Sequence, residues 1–287
     1  MRFTISESMC DIDHYLPLAE AADAAGFSTF ALGDSILYPE TAVGSYPYTE
    51  TGDRSFLDGA PFIDPFQLFA AMSVVTRRIR FHTGVLKLPI RDPVLVAKQV
   101  SSLAVFTGER FVLGVGLSPW IEDFQACSQD WASRGPRMDE MIQIIQGLMT
   151  GDYFDWHSQY YDIPRIKLCP TPSKCPPIVI GGHSRAAYRR AARHADGFSF
   201  ISLSETELVE RIGILKDFRR EFGREDEPLI ISAGMPVFTI DDMRRLEEIG
   251  VTDLTVGYRN PYEPDTMTLQ SKIDWIERFG DEVIAKY

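Results

Sequence analysis

The chain has 287 residues, 45% hydrophobic and 24% charged, the proportions of a globular protein long enough to bury its core without disulfides or a structural metal. Acidic residues outnumber basic ones 41 to 29, a formal charge of −12 that argues against nucleic acid or an anionic membrane surface as partner. The four cysteines (Cys10, Cys127, Cys169, Cys175) have no paired spacing, no apolar run reaches the roughly 18 residues of a membrane span, and the N-terminal segment lacks the apolar core of a signal peptide. A cytoplasmic protein with free thiols is expected.

In chain order, 2–6 reads as a strand and 13–25 as a helix closed by Gly26. Strand 28–32 follows, then a helix over 64–76 opened by Asp64-Pro65, a cap residue followed by proline at the first helical position. Strand 79–85 leads to a second such start, Asp92-Pro93, and a helix to 106. Strand 110–116 precedes helix 134–150, and strand 177–180 precedes helix 184–195. Strand 197–201 with helix 205–222, strand 229–233 with helix 241–249, and strand 253–257 with helix 265–279 complete the pattern. Eight strands, each followed by a helix, with no linker between halves, give one α/β domain over 1–287: a (β/α)₈ TIM barrel. Segments 36–63, after strand 2, and 152–176, before strand 5, are too long for plain loops and read as insertions.

In such a barrel the active site lies at the C-terminal ends of the strands. That rule selects Gly33-Asp34-Ser35 after strand 2, Thr83-Gly84-Val85 at strand 3, Gly114 and Gly116-Leu117-Ser118 at strand 4, Gly181-Gly182-His183-Ser184 at strand 5, and Gly257-Tyr258-Arg259 at strand 8. The strand-5 turn reads equally as an anion site, where backbone N–H groups and a helix N-terminus meet a phosphate, or as a tight turn with a serine cap. Gly84, Gly114 and Gly116 mark close backbone approach, of a flat ligand or of neighbouring strands. Asp34 is a candidate general acid or base, or a loop-capping aspartate. His82 reads as a core residue, and His14, His157 and His194 as surface residues. Trp120, Phe124, Trp131, Trp156, Tyr160 and Tyr161 lie near the expected mouth, and some should line a pocket for an apolar or aromatic substrate. No His/Asp/Glu set has metal-ligand spacing and no G-x-S-x-G elbow occurs, which disfavours metal-dependent and serine hydrolysis.

Four segments together, GFSTFALGD (26–34), TGVL…PIRDP…AKQ (83–99), LGVGLSPWIEDF (113–124) with RGPRMDE (134–140), and IGGHS (180–184) with RAARHADGF (190–198), resemble the luciferase-like monooxygenase superfamily, and within it the branch that uses the deazaflavin coenzyme F420. The resemblance implies a (β/α)₈ barrel and a ring held at the strand ends, backed by a cis peptide at Gly84–Val85. It places Asp34, Gly116, Leu117 and Ser118 beside that ring and the cofactor phosphate on Gly181, Gly182, His183 and Ser184; of the mouth aromatics, Trp120 is the one expected in the substrate pocket. It implies an F420-dependent hydride transfer to or from a small organic substrate. An FMN-dependent monooxygenase supplied with reduced flavin by a reductase, and a non-catalytic flavin-binding barrel, are the alternatives. A homodimer is expected from the same resemblance. Two positions depart from the family pattern: Ser35 stands where many members have a catalytic histidine, and Pro119 where the sugar-phosphate dehydrogenases have a carboxylate. Lys87, Arg91 and Arg185 are expected at the mouth, guiding the anionic tail of F420.

Overall fold

The computed structural model describes residues 1–46, 49, 51–234 and 239–287. Its first half forms β1 (Arg2–Ser6), α1 (Tyr15–Ala24), β2 (Thr29–Leu32), α2 (Pro65–Val75), β3 (Arg80–Thr83), β4 (Leu86–Lys87), α3 (Pro93–Phe106), β5 (Phe111–Gly116), α4 (Ile121–Ala126) and α5 (Arg134–Met149). The second half forms β6 (Phe154–His157), β7 (Asp162–Ile166), β8 (Ile178–Gly181), α6 (Arg185–His194), β9 (Gly197–Ile201), α7 (Glu205–Glu221), β10 (Ile230–Gly234), α8 (Ile240–Ile249), β11 (Asp253–Val256) and α9 (Leu269–Glu282). The strands run β3-β2-β1-β11-β10-β9-β8-β5, and β3 pairs with β5 to close the ring. The eight-stranded parallel barrel expected from the sequence is therefore present. Among the described residues no helix is long and apolar enough to cross a membrane.

Both cap-plus-proline starts act as read. The Asp64 carboxylate accepts from Phe66 N at 2.9 Å, and Asp92 accepts from Val94 N and Leu95 N, each at 2.9 Å. Helices α1, α2, α3 and α5 then bury Leu18, Phe69, Val100 and Ile145 against a barrel wall that includes Phe30, Phe81 and Phe111.

Four details differ from the sequence reading. The third strand is broken: the Gly84–Val85 peptide is cis, as the resemblance implied, and β3 and β4 pair separately with β5. Between His82↔Val112 and Leu86↔Val115, four steps on one strand face three on the other, so one residue is extra, a bulge at the active end. Helix α4 was not foreseen, because six residues are too few to show a 3.6-residue period. The insertion 152–176 carries an antiparallel hairpin of β6 and β7. Finally, α9 starts at Leu269, capped by Thr268, because the Asp265 side chain accepts from Met267 N and pairs with Lys272.

Gly114 belongs to this interior. A Cβ there would lie 1.8 Å from Thr83 O and 2.5 Å from His82 Nε2, so strand packing requires the glycine and a ligand does not. His82 itself is buried, as read, but Nε2 has no hydrogen-bond partner among the described residues. Burial lowers its pKa from 6.5 to about 4. Below pH 6.5 the unfolded chain takes up a proton that the folded chain refuses, so this residue makes stability fall as pH drops toward 4, by up to roughly 3 kcal/mol. In melting curves between pH 7 and 4.5, His82→Leu should show a shallower loss of Tm than the parent chain. Parallel slopes would contradict the assignment.

Candidate active site

The C-terminal ends of the strands surround one cavity of about 1190 Å³. Asp34, Gly84, Val85, Gly116, Leu117, Trp120, Gly181, Gly182 and His183 line it. Ser118 is buried behind the lining, and Ser184 is exposed outside it. The Ser118 hydroxyl donates to Asp123 and accepts from Trp120 N, while the Ser184 hydroxyl caps α6 by accepting from Ala187 N at 3.2 Å.

The wall at β4, β5 and β8 is nearly bare of side chains. A Cβ on Gly116 would meet Val85 Cγ2 at 2.7 Å, and one on Gly181 would meet Val85 Cγ1 at 3.0 Å. The Val85 isopropyl group therefore packs on two glycines, and Gly84 completes the surface. Beside it the chain turns through Gly182 and His183 into α6. Ser184 satisfies the Ala187 N–H, while those of Arg185 and Ala186 precede any intrahelical acceptor and point out of the helix end. Burial, together with nearby Arg211, lowers the His183 pKa and favours a neutral imidazole.

Asp34 sits at the cavity edge with both oxygens engaged. Oδ2 accepts from Lys87 N at 2.8 Å and Oδ1 from Arg91 Nη2 at 3.0 Å. The carboxylate thus ties the end of β2 to β4 and the turn after it. Lys87 and Arg91 are not mouth cations. Lys87 is buried, its Nζ 2.8 Å from Asp123 Oδ2 and 4.1 Å from the Trp120 ring centroid, and Arg91 is spent on Asp34 and Lys87 O. Burial lowers the Lys87 pKa, and Asp123 opposes that fall. Arg185 lies over the Phe218 ring at 4.9 Å.

Of the aromatics read as near the mouth, Trp120 alone lines this cavity. Phe124 packs on Trp131 at 5.0 Å, and the Trp156 indole donates to Glu140 at 3.0 Å. The insertion after β2 contributes Tyr46, Phe56 and Phe62, and the β11–α9 loop contributes Tyr262; Pro47, Tyr48 and Glu50 of that insertion lie outside the described residues.

A buried charge network was missed in the sequence. Glu7, one residue beyond β1, accepts from the Tyr258 hydroxyl, from Arg259 and from Ser8 N, with Lys272 Nζ at 3.6 Å. Lys272, wholly buried, also pairs with Asp265 and lies 3.2 Å from His14 Nδ1, so the half-buried His14 is tied to this cluster. The strand-end rule that selected Arg259 would have found Glu7 had it been applied to β1.

Comparison with known proteins sets this geometry in a family. An uncharacterized protein of Mycobacterium tuberculosis is 50% identical over 288 residues, covering 100% of both chains. An FMNH(2)-dependent dimethylsulfone monooxygenase of Pseudomonas putida is 32% identical over 134 residues, 45% of this chain and 36% of the relative. The solved F420-dependent secondary alcohol dehydrogenase in complex with an F420-acetone adduct superposes with a TM-score of 0.79 at 13% identity, covering 100% of this chain and 99% of that one. A model of the luciferase-like monooxygenase family matches residues 4–269, from the first strand of the barrel to the start of its last helix, and the chain belongs to that family.

Proposed function

We propose that the protein is an oxidoreductase that uses coenzyme F420 and exchanges a hydride with a small organic substrate. One observation carries the reading: the bare wall of Gly84, Val85, Gly116 and Gly181 adjoins the Gly182-His183 turn in a single cavity, and α6 begins two residues beyond that turn. A flat ring and its phosphate would meet adjacent, complementary surfaces there. Val85 and the glycines would hold the ring face. The N–H groups of Gly182, Arg185 and Ala186, with His183, would receive the phosphate. When bound, the deazaflavin supplies a two-electron hydride carrier, and the protein supplies position and electrostatics. Asp34, with both oxygens committed, positions β4 and so the Gly84–Val85 wall. The cavity exceeds the roughly 300–1,000 Å³ of most small-molecule sites, which suits the long side chain of F420 together with a substrate.

The similarity to an FMNH(2)-dependent monooxygenase supports a second reading, reduced FMN from a reductase partner with oxygen as co-substrate. Equilibrium titrations with F420 and FMN separate the two. Tighter F420 binding and turnover without oxygen are expected. Tighter FMN binding with oxygen-dependent turnover would replace the first reading by the second.

The partner expected at the outer surface is a second copy of the chain. Val74 of α2 and Leu95 and Phe106 of α3 are 63%, 67% and 63% exposed, large apolar side chains of the kind that pairing covers. Sedimentation at micromolar concentration should show a dimer, and Phe106→Asp should shift it toward monomer. A monomeric parent chain would refute this.

A further inference from the structure

In the closed ring β8 stands opposite β1, so the loops after β2 and β11 face the glycine turn across the barrel mouth. They bring Tyr46, Phe56 and Tyr262 to the cavity, and the β5–α4 loop brings Trp120. These rings form one wall, with centroids 5.3 Å apart for Tyr46–Phe56, 5.5 Å for Phe56–Tyr262 and 5.9 Å for Tyr46–Trp120. The charged side chains that share the cavity are already paired: Glu7 with Arg259, Asp34 with Arg91, Lys87 with Asp123. An anionic group entering here would lose its hydration without gaining a counter-charge. A cationic group, which aromatic walls otherwise attract, finds the Trp120 ring already engaged by Arg54 and Lys87, 4.7 and 4.1 Å from its centroid.

From this juxtaposition we propose that the wall of Tyr46, Phe56, Trp120 and Tyr262 is a substrate subsite for an uncharged aromatic molecule. The proposal rests on the reading above in leaving the glycine side of the cavity to the cofactor. The substrate then carries no carboxylate, phosphate or ammonium group, and stacking supplies its affinity.

The test is calorimetric titration of the full chain with 2-naphthol, 2-naphthoate and 2-naphthylmethylammonium, and separately with F420. Naphthol should bind at least about tenfold more tightly than either ion. Phe56→Ala and Tyr262→Ala should each weaken naphthol by about tenfold and leave the F420 titration unchanged. Equal binding of naphthoate or of the ammonium compound overturns the proposal, as does unaltered naphthol affinity in both variants. Should the variants fail to fold, the comparison of the three probes on the parent chain decides alone. Charge discrimination without F420 binding would remove the cofactor reading and keep the subsite; F420 binding without discrimination would do the reverse.

Discussion

Gly182→Glu is expected to abolish cofactor binding while the barrel stays folded. Gly182 links β8 to α6, and a Cβ there meets only the Ala187 methyl group, at 3.0 Å. The added carboxylate would enter the space before the helix N-terminus, where the phosphate is assigned. It would compete for the same N–H groups and repel the ligand charge. Each hydrogen bond to a charged group contributes about 1.5–3 kcal/mol, so losing two or more lowers affinity by at least about a hundredfold. Gly182 has φ +153°, a conformation that residues with a side chain rarely adopt, so the melting temperature should fall somewhat while the barrel is retained. Gly182→Ala, which carries the same strain without the charge, should keep most of the cofactor affinity. His183→Ala removes one donor and should fall between Gly182→Glu and the parent. Unchanged titrations for Gly182→Glu and His183→Ala would reduce the turn to a structural serine-capped start.

The largest effect on stability is expected from Glu7→Ala. Glu7 and Asp265 balance Arg259 and Lys272 in a buried cluster, and removing Glu7 leaves two cations against one carboxylate. Breaking such a network by deleting one partner costs about 3–5 kcal/mol, because the remaining charge stays buried and uncompensated. The Tyr258 phenol also loses its acceptor. Burial and the Glu7 charge push its pKa up, so it remains a donor throughout the working pH range. Glu7→Gln keeps the shape and one acceptor oxygen and should lie between the parent and Glu7→Ala. Urea denaturation, read as a midpoint shift at constant slope, measures all three. A loss below about 1 kcal/mol would mean that water already compensates the cluster.

The barrel was legible because its signals are local. Asp64-Pro65 and Asp92-Pro93 fix helix starts within three residues, and the alternation of short apolar runs with amphipathic stretches counts the strands. The glycine turn was legible for the same reason, whereas the cis peptide at Gly84–Val85 came from the family resemblance. Lys87 was misread because its fate is decided 36 residues away: Asp123 lies on α4, a helix whose six residues give no periodic signal. Asp34 left two readings open, and the partners that occupy it, the Lys87 N–H and Arg91, sit across a strand pairing that no local pattern announces. The Glu7 cluster joins positions more than 250 residues apart, which the pairing of β1 with β11 brings together. Long-range pairing of charges is the part of the site that a linear reading does not reach.

The packing of Val85 has a consequence for how the chain can vary. Its two methyl groups fill the space that a Cβ at Gly116 and a Cβ at Gly181 would need. A larger residue at either glycine collides while Val85 stays, and a smaller residue at 85 opens a void while the glycines stay. Substitutions at the three positions are therefore non-additive, and a change at one is accepted only with a compensating change at another. Gly116→Ala paired with Val85→Ala should cost less than the sum of the two single changes, and across diverging sequences positions 85, 116 and 181 should co-vary as one inherited unit.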